Sequence, residues 1–426
     1  MRLIEFLIIT SGLALCSCGG QRSNNDASEK SLNEADAVSS TEVCITSPKA
    51  EKVIPKIDLC AYDKKNAIGV DVQSLGDVEY VVLELTDSSL ISSSPITITE
   101  SYIVTRNKEG SIIFFDRDGS FSHSFNHKGG AGFEYQSIGC MAVMPGTNDV
   151  FIGENSKDRI QQYDSVGNHI KTIKLPYRHS QRFSIYNDST LLVHDLRFTA
   201  NEQHRKKYGL NTRPLYLISI TTGAVTELPF ECKNPILDGI SYEVDNTAYS
   251  STVYGYNLYV PRIVRRDYET IISEALMDTV YLLRDMAFSP LLIKENTISE
   301  AGSPILTTID GLGGRYLLLY IQEKRIDMAS NTVPDPMLLI YDYVDGSIKN
   351  AVLTNADGIS KGDEQYYINR LSGAIHTVPS GYMAQLLETD YIIELRDRGK
   401  LSGELKKIAD QMDDESNPLL MLLRLN

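Results

Sequence analysis

The chain has 426 residues, 42% hydrophobic and 23% charged, a globular composition that excludes disorder along its whole length. Lys and Arg number 41 against 56 Asp and Glu, and the net charge of −15 argues against the phosphate-tracking surface that nucleic acid requires. There are 24 Tyr and 11 Phe but no Trp, which weighs against a carbohydrate platform built on Trp stacking, although Tyr can stack as well.

Arg2 precedes an apolar run from Leu3 to Leu15, interrupted by Glu5, Thr10, Ser11 and Gly12. The run is too short for a hydrocarbon core of ~30 Å, and it has the length of a signal-peptide core. It ends in Leu15-Cys16-Ser17-Cys18-Gly19-Gly20, which resembles a bacterial lipobox. Cys18 fits better than Cys16, because Ser17 is small whereas Leu15 would precede Cys16. The resemblance implies a signal peptide over residues 1–17, acylation (palmitate) of Cys18, and a mature chain lipid-anchored in the cell envelope. The anchored body then faces the periplasm or lies on the outer-membrane surface. An ordinary cleaved secretory signal is the alternative. Gly19 to Glu51 are rich in Ser, Asn, Asp, Ala and Glu, too polar to offset ordering entropy, so residues 18–54 read as a disordered tether.

Cys44, Cys60, Cys140 and Cys232 remain, widely spaced and without a CxxC pair, so zinc or thioredoxin-like chemistry is not expected. A disulfide among them is permitted outside the cytoplasm.

From Val78 onward, short β-rich runs alternate with turn dipeptides. Val78–Leu85 reads as a strand and Ile96–Val104 as the next. Ser111–Asp116 then turns at Asp118-Gly119 into Ser120–Phe125, the strongest local hairpin signal available. The unit recurs at 149–175, turning at Gly167, which stands 48 residues after Gly119. Weaker copies run from Pro214 to Leu228 and from Met337 to Leu353, and Thr279–Ile293 is a copy with no glycine at its turn. Intervals of about 40–60 residues holding roughly four strands each are the mark of propeller blades.

Arg159-Ile160-Gln161-Gln162-Tyr163-Asp164-Ser165-Val166-Gly167 resembles the core of an NHL-type repeat. Lys128-Gly129-Gly130-Ala131-Gly132-Phe133-Glu134-Tyr135 is similar to a Gly-rich loop of six-bladed, NHL- or TolB-like propeller lipoproteins of unknown function. Ala131 stands for the usual Pro, and Phe133 intrudes before the Glu. The resemblance implies an all-β, six-bladed β-propeller over residues 55–426 and no catalytic motif. The 348 residues from Val78 to Leu425 allow about 58 for each of six blades, or about 50 for each of seven, and the resemblance favours six. Ring closure predicts that Leu419–Leu425 shares a blade with N-terminal β-structure. Leu401, Leu405, Ile408, Ala409 and Met412 predict a short helix before that strand, with Ser402 as its cap. Similar spacing over Tyr268–Leu276 leaves helix or strand open.

No GxSxG elbow, HExxH, P-loop or EF-hand loop is present. Of the seven histidines only His123 and His127 are close, and on a strand they stand ~13 Å apart, so a shared metal is not expected unless the strand ends between them. Arg262, Arg265, Arg266 and Arg284 form a basic group that reads as solvated strand faces or, alternatively, as an anion site. Asp116, Asp118, Asp164 and Asp345 sit where turns favour Asp. Lys128, Gly129, Gly130, Glu134 and Tyr135 are the candidate ligand-facing loop; the competing account has Glu134 and Tyr135 pin one blade to the next. The expectation is a membrane-tethered binding or interaction module for a protein, peptide or glycan, with no catalytic residue, metal or cofactor assigned. A hydrolase or lyase with a channel-bound metal is the alternative.

Overall fold

Alternating apolar residues and Asp-Gly turns build six successive antiparallel sheets, the blades of a six-bladed β-propeller. The computed structural model describes residues 53–426 except 63, 92–93, 155–156, 177–180, 196–212, 232–238, 248–249, 258–262, 267–268, 274–276, 301, 327–332 and 359–376. Residues 1–52 also lie outside the described set, and with them Cys18, Cys44 and the tether.

Blade one comprises Thr97–Ile98, Tyr102–Arg106, Ile112–Asp116 and Phe121–Phe125. Blades two (140–174) and three (181–227) are likewise four-stranded meanders. A separate hairpin, Gly239–Thr247 with Ser250–Asn257, precedes blade four (263–295) and was not foreseen from the sequence. Blade five spans 305–354, and blade six holds Tyr382–Leu387 and Leu419–Leu425. Glu269–Ile272 resolves the open choice within Tyr268–Leu276 in favour of strand.

The Asp118-Gly119 turn shows why glycine is needed there. Gly119 has φ +91°, and a Cβ on it would lie 2.1 Å from the Val82 carbonyl oxygen. The glycine-free turn of blade four instead places Asp285 (φ +49°) and Met286 (φ +60°) in the left-handed region.

The N-terminal segment closes three blades rather than one. Strand β1 (Lys56–Asp58) lies parallel to Ala287–Glu295 at the edge of blade four, and β2 (Ile68–Asp71) lies parallel to Ile348–Thr354 at the edge of blade five. Strand β3 (Gly76–Val81) pairs antiparallel with Leu419–Leu425 in blade six, as ring closure predicted, though it begins and ends earlier than Val78–Leu85. Burial drives this strapping: Ile57 and Leu59 join the blade four and five core, and Val72 and Leu75 join that of blades five and six. Each added strand removes a row of unpaired edge amides and carbonyls.

Two helices, α1 (Thr389–Asp397) and α2 (Gly403–Ala409), fill the connection inside blade six. The sequence signalled α2 alone, through Leu405 and Ala409, both fully buried. Helix α1 buries Ile392 and Leu395 on the same core. Ser402 does not cap α2 with its side chain; its Oγ donates instead to the carbonyl of Ala356, 46 residues earlier in the chain, at 3.0 Å.

Between blades, the core is a series of seams. Phe151, Ile160, Phe183, Val193 and Tyr216 fill that between blades two and three. Phe114, Phe125, Tyr135 and Tyr163 fill that between blades one and two.

Candidate functional site

The Gly-rich segment links the last strand of blade one to the first of blade two, and it folds back on itself. Gly129 N–H donates to Tyr135 O at 2.9 Å, and Tyr135 N–H donates to His127 O at 3.1 Å. The Glu134 carboxylate accepts the Ala131 N–H at 2.8 Å while lying over Gly129, where a Cβ would come within 2.0 Å of its Oε2. Tyr135 is fully buried; its hydroxyl donates to Gly110 O at 2.7 Å and accepts His127 N–H at 3.1 Å. Burial raises the Tyr135 pKa, so the hydroxyl stays a donor.

Blade two holds the loop from its other side. Arg159, Gln161 and Tyr163 alternate along one strand and so share a face. Arg159 donates to Gly132 O (2.8 Å) and Glu134 O (2.9 Å), Gln161 Nε2 to Gly132 O (2.7 Å), and the Tyr163 hydroxyl to Phe133 O (2.6 Å). Gln161 Oε1 in turn faces Thr172 Oγ1 at 2.5 Å and His169 Nε2 at 3.0 Å. Desolvation lowers the His169 pKa, which favours the neutral ring.

His123 and His127 do not converge on a common point. His123 Nε2 meets Ser165 O at 2.7 Å and His127 Nε2 meets Gly167 O at 2.6 Å, so both clasp the hairpin turn of blade two. Their rings stack on Phe114 (4.4 Å, 13°) and Tyr163 (5.1 Å, 6°).

All five candidate residues thus lie in one loop, yet their roles divide. Tyr135 is enclosed at the blade seam and Glu134 braces the loop internally, whereas Lys128 and Gly130 are exposed. The residue that sequence reasoning passed over is Phe133, 49% exposed with its ring 6.3 Å from that of His169. The period-two spacing of Arg159, Gln161 and Tyr163 could have signalled the clamp; which loop they grip was not readable.

The remaining candidates separate. Cys60 and Cys140 are free thiols, and Cys232 lies outside the described residues. Arg284 forms an ion pair with Glu269 on its own blade, while Arg262 lies outside the described residues and Arg265 and Arg266 are described as backbone alone. Asp118 and Asp345 accept the amides of Ser120 (3.0 Å) and Ser347 (2.8 Å), and the hydroxyls of those serines, followed by the amides, hold both carboxyls below the usual range. Among the described residues no three His, Cys, Asp or Glu side chains gather as a metal set. No helix among the described residues is long and apolar enough to cross a membrane. Inner-strand residues of blades one to three, with Thr377 and Val378, enclose a cavity of about 50 Å³ that Thr97, Met141 and Ser184 help to line.

A family model described as a domain of unknown function (DUF4934) matches residues 54–424. The structure is similar to that of a candidate exported protein from Bacteroides fragilis NCTC 9343, at 13% identity and a TM-score of 0.58, covering 85% of this chain and 99% of that one. It is also similar to a member of the duf4221 family from Bacteroides vulgatus ATCC 8482, at 11% identity and a TM-score of 0.43, covering 83% and 99%. No curated protein matches the chain in sequence.

Proposed function

Because the chain belongs to the family described as a domain of unknown function (DUF4934), we propose its role from its own site: an extracytoplasmic binding propeller, anchored through Cys18, that recognises a protein, peptide or glycan. The observation that carries this reading is the pre-organised loop 128–135. Its carbonyls at Gly132, Phe133 and Glu134 are all held by blade two, while the Phe133 ring stays half exposed and Lys128 of the same loop is exposed. A rigid loop displaying an aromatic anchor loses little entropy on binding. Export is supported by the signal-like first 17 residues and by the similar fold of a candidate exported protein.

Two measurements test the proposal. Mass spectrometry of the membrane fraction should find acylated Cys18 at the mature N-terminus, and Cys18→Ala should release the protein from the membrane. Partners captured by the wild-type chain, or glycans bound on an array, should be lost by Phe133→Ala combined with Lys128→Ala at unchanged melting temperature. Retained binding by that double variant overturns the loop assignment. Metal-dependent turnover of a glycan, peptide or lactone by the purified chain overturns the binding-module reading.

A further inference from the structure

Blades three and four leave a cavity of about 390 Å³ between their turns. Three hairpin ends border this open cleft: 187–190 and 219–224 from blade three and 285–286 from blade four. The last of these is the turn in which Asp285 and Met286 are both left-handed. A two-residue turn of this hand is readily met by Asn-Gly, whereas Met at positive φ is an outlier. The neighbouring blade holds it in place, since Met286 N–H donates to the Tyr186 hydroxyl at 2.5 Å. A strained backbone held from across a cavity is a feature that recurs at ligand clamps.

The lining states the chemistry. Asn187 Oδ1 is fixed by the Ser189 amide (3.1 Å) and Ser219 Oγ by the Thr222 amide (3.2 Å). The Thr226 and Asp285 side chains are exposed at the cavity and Asn187 is partly exposed there. Leu217 and the half-exposed Met286 add apolar surface. No Lys, Arg or His lines the cavity, and the chain carries a net charge of −15, so an anionic ligand is disfavoured.

We propose that this cavity binds a neutral sugar of one or two rings. The Asp285 carboxylate accepts from ring hydroxyls, Asn187 Nδ2 and Thr226 Oγ1 complete the polar contacts, and Leu217 and Met286 meet the ring C–H face. The volume falls in the range of ligand pockets. The site is separate from the loop at 128–135, so neither assignment depends on the other.

Ligand-observed NMR and calorimetry on the full chain, with maltose, lactose and N,N′-diacetylchitobiose as probes, test the proposal. At least one should bind with one-to-one stoichiometry. Asp285→Asn should weaken it about tenfold or more at unchanged melting temperature, as expected for a lost hydrogen bond to a charged group. Met286→Gly should raise the melting temperature by relieving the turn and also weaken binding, whereas a purely structural turn would leave binding alone. Phe133→Ala should leave binding unaltered. The proposal is overturned if no probe binds at millimolar concentration, if Asp285→Asn and Met286→Gly bind as wild type does, or if inorganic phosphate or spermidine binds there and the sugars do not.

Discussion

The Tyr135 hydroxyl donates to the Gly110 carbonyl at 2.7 Å, so a residue of the inter-blade loop closes a turn in the middle of blade one. The same oxygen accepts the His127 amide, and one phenol therefore satisfies two backbone groups at a buried seam.

Tyr135→Phe keeps the ring and removes both bonds. The Gly110 carbonyl and His127 amide then lack this partner, and the expected loss of stability is about 1–3 kcal/mol. Phe133→Ala, two residues away but half exposed, should change stability by no more than about 0.5 kcal/mol. Chemical denaturation of the two variants checks the contrast; equal losses would refute the division between seam and display residues.

Gly119 and Gly223 both have positive φ, +91° and +72°, but their surroundings differ. A methyl at Gly119 would overlap the Val82 carbonyl, whereas nothing lies within 4 Å at Gly223. Gly223→Ala should cost about 1–2 kcal/mol, the backbone strain alone. Gly119→Ala should cost about 3 kcal/mol or more, since β3 and the turn must separate. Denaturant midpoints of both variants measure the difference.

Closure of the ring rests on Leu419–Leu425, which lies between Tyr382–Leu387 and β3. Deleting residues 419–426 should abolish the cooperative unfolding transition seen by calorimetry. A milder probe is Asn417, whose buried amide donates to Glu84 O (3.1 Å) and Ser89 O (2.9 Å) and accepts Ile91 N–H (3.0 Å). Asn417→Ala should lower the melting temperature by a few degrees without abolishing the transition. An unchanged transition in the deletion variant would exclude closure by the C-terminal strand.

Asp342 accepts from Arg315 Nε at 3.0 Å and Nη2 at 2.9 Å, and this contact holds its carboxyl below the usual range. With the folded pKa below the unfolded value of ~3.9, the pair stabilises above that pH and the contribution fades as pH falls through the folded value. Melting curves of wild type and Asp342→Asn should therefore differ most near neutrality and converge toward pH ~2–3. A gap that widens in acid would contradict the assignment.

Local chemistry carried the hairpins. Asp118-Gly119 and Val166-Gly167 read as turns because positive φ and Asx hydrogen bonds are properties of a few adjacent residues. Period-two alternation marked the strands around them for the same reason. Helix α2 was legible through Leu405 and Ala409, but α1 was not, because Ile392 and Leu395 give too short an apolar stripe to distinguish from loop. The candidate loop was visible in its glycines and Glu134-Tyr135, and its position between blades followed from chain order.

Long-range pairing was beyond the sequence. The strap strands β1 and β2 are three and four residues long, and their partners lie more than 200 residues away. Only the assembled edges of blades four and five select those partners. The exposure of Phe133 and the enclosure of Tyr135, two residues apart, depend on where Arg159 and Tyr163 of the next blade arrive. The cavity beside Asp285 and Met286 likewise exists only where the turns of blades three and four come together. Sequence determined the blade, since its bonds join adjacent strands; tertiary structure decided the seams and straps, because packing between sheets depends on residues tens to hundreds of positions apart.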